Sequence, residues 1–147
     1  QLLSLVDQIM LTSKIEAAAR KQILEVHIDP TLMVEADQQL LHSALSNLIQ
    51  NALKFTRGGG KIKVRASLVG KSAIIEIEDE CGGLAPNFES EFFKPFQQHN
   101  ENRSGLGLGL TIAQRAITLN KGTILVQNLP KVGCIFRITL PTPQPLQ

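Results

Sequence analysis

Twice in this chain two short strands of alternating polarity follow one another across a turn, with a helical stretch standing between the two pairs. Residues 61–69 and 73–79 form the first pair, joined at Gly70-Lys71, and residues near 123–128 and 134–140 form the second, separated by Pro130 to Gly133. Strands linked this closely pair antiparallel, and their alternation leaves one apolar face that must be covered. Three helical patterns supply the cover. From Leu2 to Arg20, Leu2, Leu5, Val6, Ile9, Met10, Ile15 and Ala18 recur at helical spacing. A second helix is expected from Asp37 to Phe55, with Asp37 as N-cap, the stripe Leu41, Leu45, Leu48, Ala52 and Phe55, and glycines 58–60 ending it. A third follows the glycine run at 105–109 and extends to about Leu119. Residues 23–28 add a strand closed by Asp29-Pro30. This order predicts an α+β fold, a two-layer α/β sandwich whose mixed, mainly antiparallel sheet packs on about three helices, rather than a doubly wound parallel sheet.

At 147 residues, 43% of them hydrophobic, the chain suits one domain with its own core, expected over residues 1–141 with a Pro-rich tail at 142–147. The helical start at Gln1 and that tail suggest a segment of a longer protein. A net charge of +2 from 15 basic and 13 acidic residues, without clustering, gives no basis for a nucleic-acid partner. The six aromatics are all Phe, so a base-stacking platform is also unsupported. Cys81 and Cys134 lie far apart without metal-ligand spacing, which indicates neither a zinc site nor a disulfide framework and points to a reducing, cytosolic setting. No apolar run approaches the roughly 20 residues that span a bilayer, so no membrane contact is expected of this segment, and an anchor elsewhere in the parent stays open.

Three groups of residues carry chemistry. In Arg103-Ser104-Gly105-Leu106-Gly107-Leu108-Gly109-Leu110, alternating glycines remove the Cβ atoms that hold a backbone away from an anion, and the helix that follows offers unpaired N–H groups. By itself the run is equally a turn or a packing point. On the second helix, Asn47, Asn51 and Lys54 share one face beside the apolar stripe. They either solvate an exposed face or serve a ligand: a carboxamide oxygen completes the octahedral shell of Mg²⁺, and a lysine neutralises a terminal phosphate. Asp79 ends the alternating strand on the face of Ile75 and Ile77, a carboxylate aimed at the core, with Gly82 and Gly83 directly after it. It is either a strand-end turn residue or an acceptor for an amino group on a flat ring, and if buried it requires a donor.

Taken in order, these blocks resemble the ATP-binding catalytic domain of sensor histidine kinases, within the wider family of gyrase-type and chaperone-type ATPases with the Bergerat-type fold. Residues 47–56, Asn-Leu-Ile-Gln-Asn-Ala-Leu-Lys-Phe-Thr, are similar to the N box, and Asp79-Glu80-Cys81-Gly82-Gly83-Leu84 to the G1 box. Phe92-Phe93-Lys94-Pro95-Phe96 resembles the F box and residues 105–110 the G2 box, and the strand from Cys134 to Pro141 is like the family's usual end. The resemblance implies ATP and Mg²⁺ as cofactors. It gives Asn51 the metal, Asn47 its support, Lys54 the phosphates, Phe55 the adenine pocket wall and Asp79 the adenine amino group. Gly83 and Leu84 would lie against the nucleotide, while Gly105, Leu106, Gly107, Leu108, Gly109 and Leu110 wrap the triphosphate. Residues 86–104 would form a lid anchored by Phe93 and Phe96, with Gln98 and Arg103 as further phosphate contacts. Asn51 and Lys54 are thereby the candidate catalytic residues.

Two departures qualify the pattern. Cys81 stands where the commonest G1 box has glycine, and its Cβ would narrow the pocket or demand another backbone angle. Asn47 stands where gyrase-like relatives carry a glutamate general base one turn before the metal-binding Asn. An amide takes no proton from water, so intrinsic hydrolysis is expected to be negligible. His27, His42 and His99 lack the acidic neighbour and downstream Pro of a phosphoacceptor, so the acceptor histidine is expected on a separate dimerisation domain, with a response regulator further along the pathway. The other readings are a degenerate nucleotide-sensing or scaffolding domain and a serine kinase of the anti-sigma-factor type. A P-loop is excluded because Gly109-Leu110-Thr111 lacks the lysine, and a dinucleotide fingerprint because position 110 is Leu.

Overall fold

The computed structural model describes residues 1–83 and 106–143, with backbone only for 106–108. Its elements are α1 (Leu2–Ala19), β1 (Ile23–Ile28), α2 (Gln38–Phe55), β2 (Lys61–Val69), β3 (Ser72–Asp79), α3 (Leu106–Leu119), β4 (Thr123–Leu129) and β5 (Gly133–Pro141). The strands form one sheet in the order β1-β2-β3-β5-β4. β1 and β2 run parallel, as a crossover through α2 requires, and the other three pairings are antiparallel. Among the described residues the fold is therefore the expected mixed, mainly antiparallel sheet on three helices.

Alternation decides which face meets the helices. Ile62 and Val64 of β2, Ala73, Ile75 and Ile77 of β3, Phe136, Ile138 and Leu140 of β5, and Ile124 and Val126 of β4 are buried in one core. Against them lie Leu41, Leu45, Leu48 and Ala52 of α2 and Leu110, Ala113 and Ile117 of α3. The opposite face is polar. There Arg65 reaches Glu76 at 3.1 Å and Glu78 at 3.0 Å, and Arg137 reaches Glu76 at 2.7 Å. Buried on one side and charged on the other, the sheet and its helices make two layers among the described residues.

Helix ends follow their local chemistry. The Asp37 side chain accepts from Leu40 N at 2.9 Å, the N-cap expected of it. At the other end of α2, buried Gln22 donates its Nε2 to the carbonyls of Leu53 at 2.8 Å and Thr56 at 2.7 Å, pairing oxygens the helix itself leaves open. In α1 the outcome differs from the sequence pattern. Ile15 is 72% exposed and Ala18 also faces solvent, while Ser13 and Ala17 are buried. The buried side runs through residues 5, 9, 13 and 17 at intervals of four, and Ile15 lies about 200° around the axis from Ser13. Ser13 tolerates the core because its hydroxyl donates to the Ile9 carbonyl at 2.9 Å. Thr142, the first residue of the expected tail, donates its hydroxyl to the Lys71 carbonyl at 2.9 Å, and residues 144–147 of that tail lie outside the described residues.

Candidate functional site

The site is assembled where the ends of β3 and β5 meet α2 and the start of α3. Period-two alternation carries Ala73, Ile75 and Ile77 inward and places Asp79 after them on the same face, 1% exposed. Its burial demands donors. Oδ1 accepts from Cys81 N at 3.1 Å and from Cys134 N at 3.3 Å, and the Cys134 thiol lies 3.4 Å from Oδ2. Two backbone N–H groups from two chain segments thus hold the carboxylate in one orientation. Cys134 is the register partner of Asp79 across the β3–β5 ladder.

The turn after Asp79 is locked to the turn between β4 and β5. Gly82 N donates to the Val132 carbonyl at 2.8 Å, and Gly83 sits at φ +97° with its α-carbon so close to Lys131 that a Cβ would lie 2.7 Å from Lys131 N. Only glycine meets both conditions there. Cys81 is not among the residues with positive φ, so the glycine that commonly occupies its place is not required by backbone angle. Glu80, next in line, ties the site to the end of α2. Its N–H donates to Thr56 Oγ1 at 3.2 Å, and its carboxylate accepts from Lys61 N and pairs with Arg57 at 3.7 Å.

On α2, Asn47 and Asn51 are half-buried one turn apart, and Phe55 packs against the core with Lys54 Nζ 5.3 Å from its ring centroid. Lys54 itself is exposed. The Asn51 Nδ2 atom is buried without a hydrogen-bond partner among the described residues. It faces α3, where a Cβ on Gly109 would stand 4.0 Å from it. A buried orphan amide is unfavourable by about 1–3 kcal/mol, a cost that a ligand at this place would remove. Because a carboxamide presents oxygen where it presented nitrogen after a half-turn, the same side chain suits a metal ion as well as a phosphate oxygen.

The helical boundary at α3 differs from expectation. Helix begins at Leu106, so Gly107 and Gly109 lie in its first turn rather than in a preceding loop. Leu110, Ala113 and Ile117 bury one face of the helix, and that packing carries it through two glycines whose own propensity opposes it. Among the described residues the N–H groups without intrahelical acceptors then belong to Leu106, Gly107 and Leu108, and the helix dipole adds partial positive charge there. Leu110 turns its side chain into the core at 1% exposure. Leu84, Phe93, Phe96, Gln98, His99, Arg103 and Gly105, and with them the expected lid, lie outside the described residues. His27 and His42 are exposed, away from this constellation on β1 and α2.

The family described as histidine kinase-, DNA gyrase B-, and HSP90-like ATPase matches residues 36–144. This chain belongs to that family. Among its curated relatives, the sensor histidine kinase TmoS of Ectopseudomonas mendocina is 35% identical over 134 residues, covering 87% of this chain and 14% of TmoS. The histidine kinase AdeS of Acinetobacter baumannii superposes with a TM-score of 0.79 at 27% identity, covering 98% of this chain and 66% of that one. Full-length ShkA, solved in complex with AMPPNP, gives a TM-score of 0.86 over 100% of this chain and 31% of its own, at an identity of 24% that speaks to fold alone. The chain spans 13% to 21% of the length of TmoS and two further sensor proteins, KdpD of Escherichia coli K12 and KinB of Pseudomonas aeruginosa. It has the fold of histidine-kinase catalytic domains. Among the described residues no helix is long and apolar enough to cross a membrane.

Several residues of the site carry no signal in the sequence. Thr56 and Glu80 bridge α2 to β3, Gly133 seats the strand beside Asp79, and Cys134 supplies donors to it. The spacing of 53 residues between Cys81 and Cys134 hides their meeting, which only the Asp79–Cys134 register produces. A carboxylate oxygen of Asp79 and the sulfurs of Cys81 and Cys134 lie within 4.8 Å of one another.

Proposed function

We propose that residues 1–141 are the catalytic ATP-binding domain of a two-component sensor histidine kinase, which binds Mg-ATP and donates the γ-phosphoryl group to a histidine on a separate dimerisation domain. Asn51 carries this reading: its Nδ2 atom, buried and without a hydrogen-bond partner among the described residues, faces Gly109 in the first turn of α3, whose N-terminal end suits an anion. The carboxylate of Asp79, fixed by two N–H groups, accepts from the adenine amino group. Phe55 lines the ring pocket, Gly83 gives the nucleotide access to the backbone, and Lys54 offsets the charge of the terminal phosphates. Leu106, Gly107, Leu108, Gly109 and Leu110 offer main-chain contacts to the triphosphate, joined by Gly105, Arg103, Leu84 and Phe96. Asn51, supported by Asn47, would hold Mg²⁺, which when bound screens the phosphate charge that repels a nucleophile.

The chain's own part in the reaction is positioning and charge stabilisation, because the nucleophile belongs to the partner domain. Asn47 offers no base to activate water, so bound ATP is kept for the protein acceptor. The dimerisation domain, a downstream response regulator and a cytoplasmic setting where ATP is available complete the proposal. The sensor kinases among its curated relatives support it over a scaffolding domain or a serine kinase. The test is Mg-ATP affinity by calorimetry, with Asp79→Asn and Asn51→Ala, followed by transfer to a cognate histidine-containing domain. Each substitution is expected to weaken binding by about tenfold or more, since each removes an interaction of roughly 1.5–3 kcal/mol. Millimolar binding indifferent to both changes would sink the catalytic reading.

A further inference from the structure

The nucleotide reading uses Asp79 but leaves the two thiols beside it without a role. Cys134 is wholly buried at the start of β5, and Cys81 is half-exposed in the turn that follows β3. The register brings their sulfurs and an Asp79 oxygen within 4.8 Å of one another, three donors from two chain segments converging on one point. We propose that Asp79, Cys81 and Cys134 form a site for a thiophilic divalent cation of the Zn²⁺ or Cd²⁺ class, and that this cation and a nucleotide exclude each other.

The donor chemistry selects the cation. Two sulfurs and one carboxylate suit Zn²⁺ or Cd²⁺ and not Mg²⁺, which requires an oxygen shell, so this site is distinct from the one assigned to Asn51. Tetrahedral coordination at about 2.3 Å to sulfur and about 2.0 Å to oxygen spaces the donors roughly 3.5–3.8 Å apart, so the cluster needs to contract by about 1 Å. Cys81 can provide that contraction by turning its half-exposed side chain about χ1, with the locked backbone unmoved, whereas Asp79 and Cys134 are fixed by the ladder. It also provides the way in, being the donor with a face to solvent. On binding, both thiols release their protons to solvent and their sulfurs bond the metal, giving a two-thiolate, one-carboxylate shell with a fourth position for water. A carboxylate among thiols attracts a cation while opposing the bare thiolate that attacks in disulfide formation, which favours metal over a Cys81–Cys134 bridge. The exclusion of nucleotide rests on the role given to Asp79 under Proposed function: a carboxylate bound to metal has lost the oxygen that would receive the adenine amino group.

The test keeps the two readings apart. The chain, reduced with a phosphine and free of nucleotide, is titrated with Cd²⁺ while the ultraviolet thiolate-to-cadmium charge-transfer band is followed. One Cd²⁺ per chain is expected, with the affinity reduced about tenfold or more in Cys81→Ser and Cys134→Ser. Circular dichroism checks folding, and Cys81→Ser, being at a half-exposed turn, serves if the buried Cys134→Ser variant does not fold. No band in the reduced protein, a band surviving both substitutions, or a Cys81–Cys134 disulfide forming in a protein that takes up no Cd²⁺ would each overturn the site. A fluorescent ATP analogue in excess Mg²⁺ is then titrated with and without Zn²⁺. Its apparent Kd should rise about tenfold with Zn²⁺ in the wild type and not in Cys81→Ser. Unchanged analogue affinity in a Zn²⁺-loaded protein overturns the exclusion. Failure of the analogue to bind metal-free protein instead counts against the nucleotide reading and leaves the cadmium titration standing.

Discussion

Replacing Gly133 with alanine should damage the adenine end of the site more than any comparably small change elsewhere in the sheet. A Cβ at this position would stand 1.8 Å from the Asp79 carbonyl oxygen, 2.7 Å from its carbonyl carbon and 3.0 Å from the Glu80 Cα, all of them backbone atoms. No rotamer change relieves such an overlap, so the ends of β3 and β5 must part by more than 1 Å to restore a contact of about 3.4 Å. The first pairs to open are Leu129↔Gly133 and Asp79↔Cys134, and with them goes the Cys134 N–H that holds the Asp79 carboxylate. Overpacking of a close-packed position costs about 1–3 kcal/mol, and losing one or two hydrogen bonds adds about 0.5–1.5 kcal/mol each. A total of about 1.5–6 kcal/mol follows, a large share of a domain's usual stability. Urea unfolding measures that loss, and calorimetry of the still-folded fraction at low temperature measures nucleotide affinity. An alanine variant with the wild-type unfolding midpoint, or one destabilised yet binding ATP with wild-type affinity, would refute the claim that Gly133 seats Asp79.

Other outcomes follow from the same geometry. Gly107→Ala, within the first turn of α3, should weaken ATP binding while leaving the far-ultraviolet dichroism and unfolding midpoint nearly unchanged, because alanine is the better helix former. Equal affinity in the two proteins would remove this turn from the phosphate contacts. Purified chain supplied with Mg-ATP and no acceptor should release phosphate at a rate indistinguishable from buffer, and steady turnover in a phosphate-release assay would mean that a base other than residue 47 activates water. On the polar face, burial by itself raises the Glu76 pKa, but hydrogen bonds from Arg137 and Arg65 outweigh it and the carboxyl ends below its ordinary 4.5. A depressed pKa stabilises the fold above the unfolded-state value and loses that contribution as pH falls through the folded one. Glu76→Gln should therefore be less stable than wild type at neutral pH, with the gap closing at acid pH. A gap that stays constant from pH 7 to about pH 3 would show that the ion pairs contribute nothing.

How far the sequence reaches can be read from particular elements. Alternation in residues 73–79 was enough to turn Asp79 inward, since side chains on a strand change face at every residue whatever the strand pairs with. Asp37 as N-cap and the α2 stripe were equally legible, because capping and helical periodicity act within a few residues. The start of α3 was not, since the glycines oppose helix locally and only burial of Leu110, Ala113 and Ile117 outweighs them. Nor was the exposure of Ile15, because the apolar count along α1 does not say which side its neighbours will cover.

By itself, the sequence determined the layers, the order of the helices and strands, and the kinds of side chain that a nucleotide site would use: carboxamides, a carboxylate and flexible backbone. Tertiary structure decided which of them meet. Asn51 faces Gly109 because α2 packs on α3, and Asp79, Cys81 and Cys134 converge because β5 pairs with β3 in one register out of several that the alternation would allow. The physical reason is range. Capping, alternation and glycine freedom act over a few residues and are written in the local sequence, whereas register and helix packing are settled by the burial of side chains dozens of residues apart.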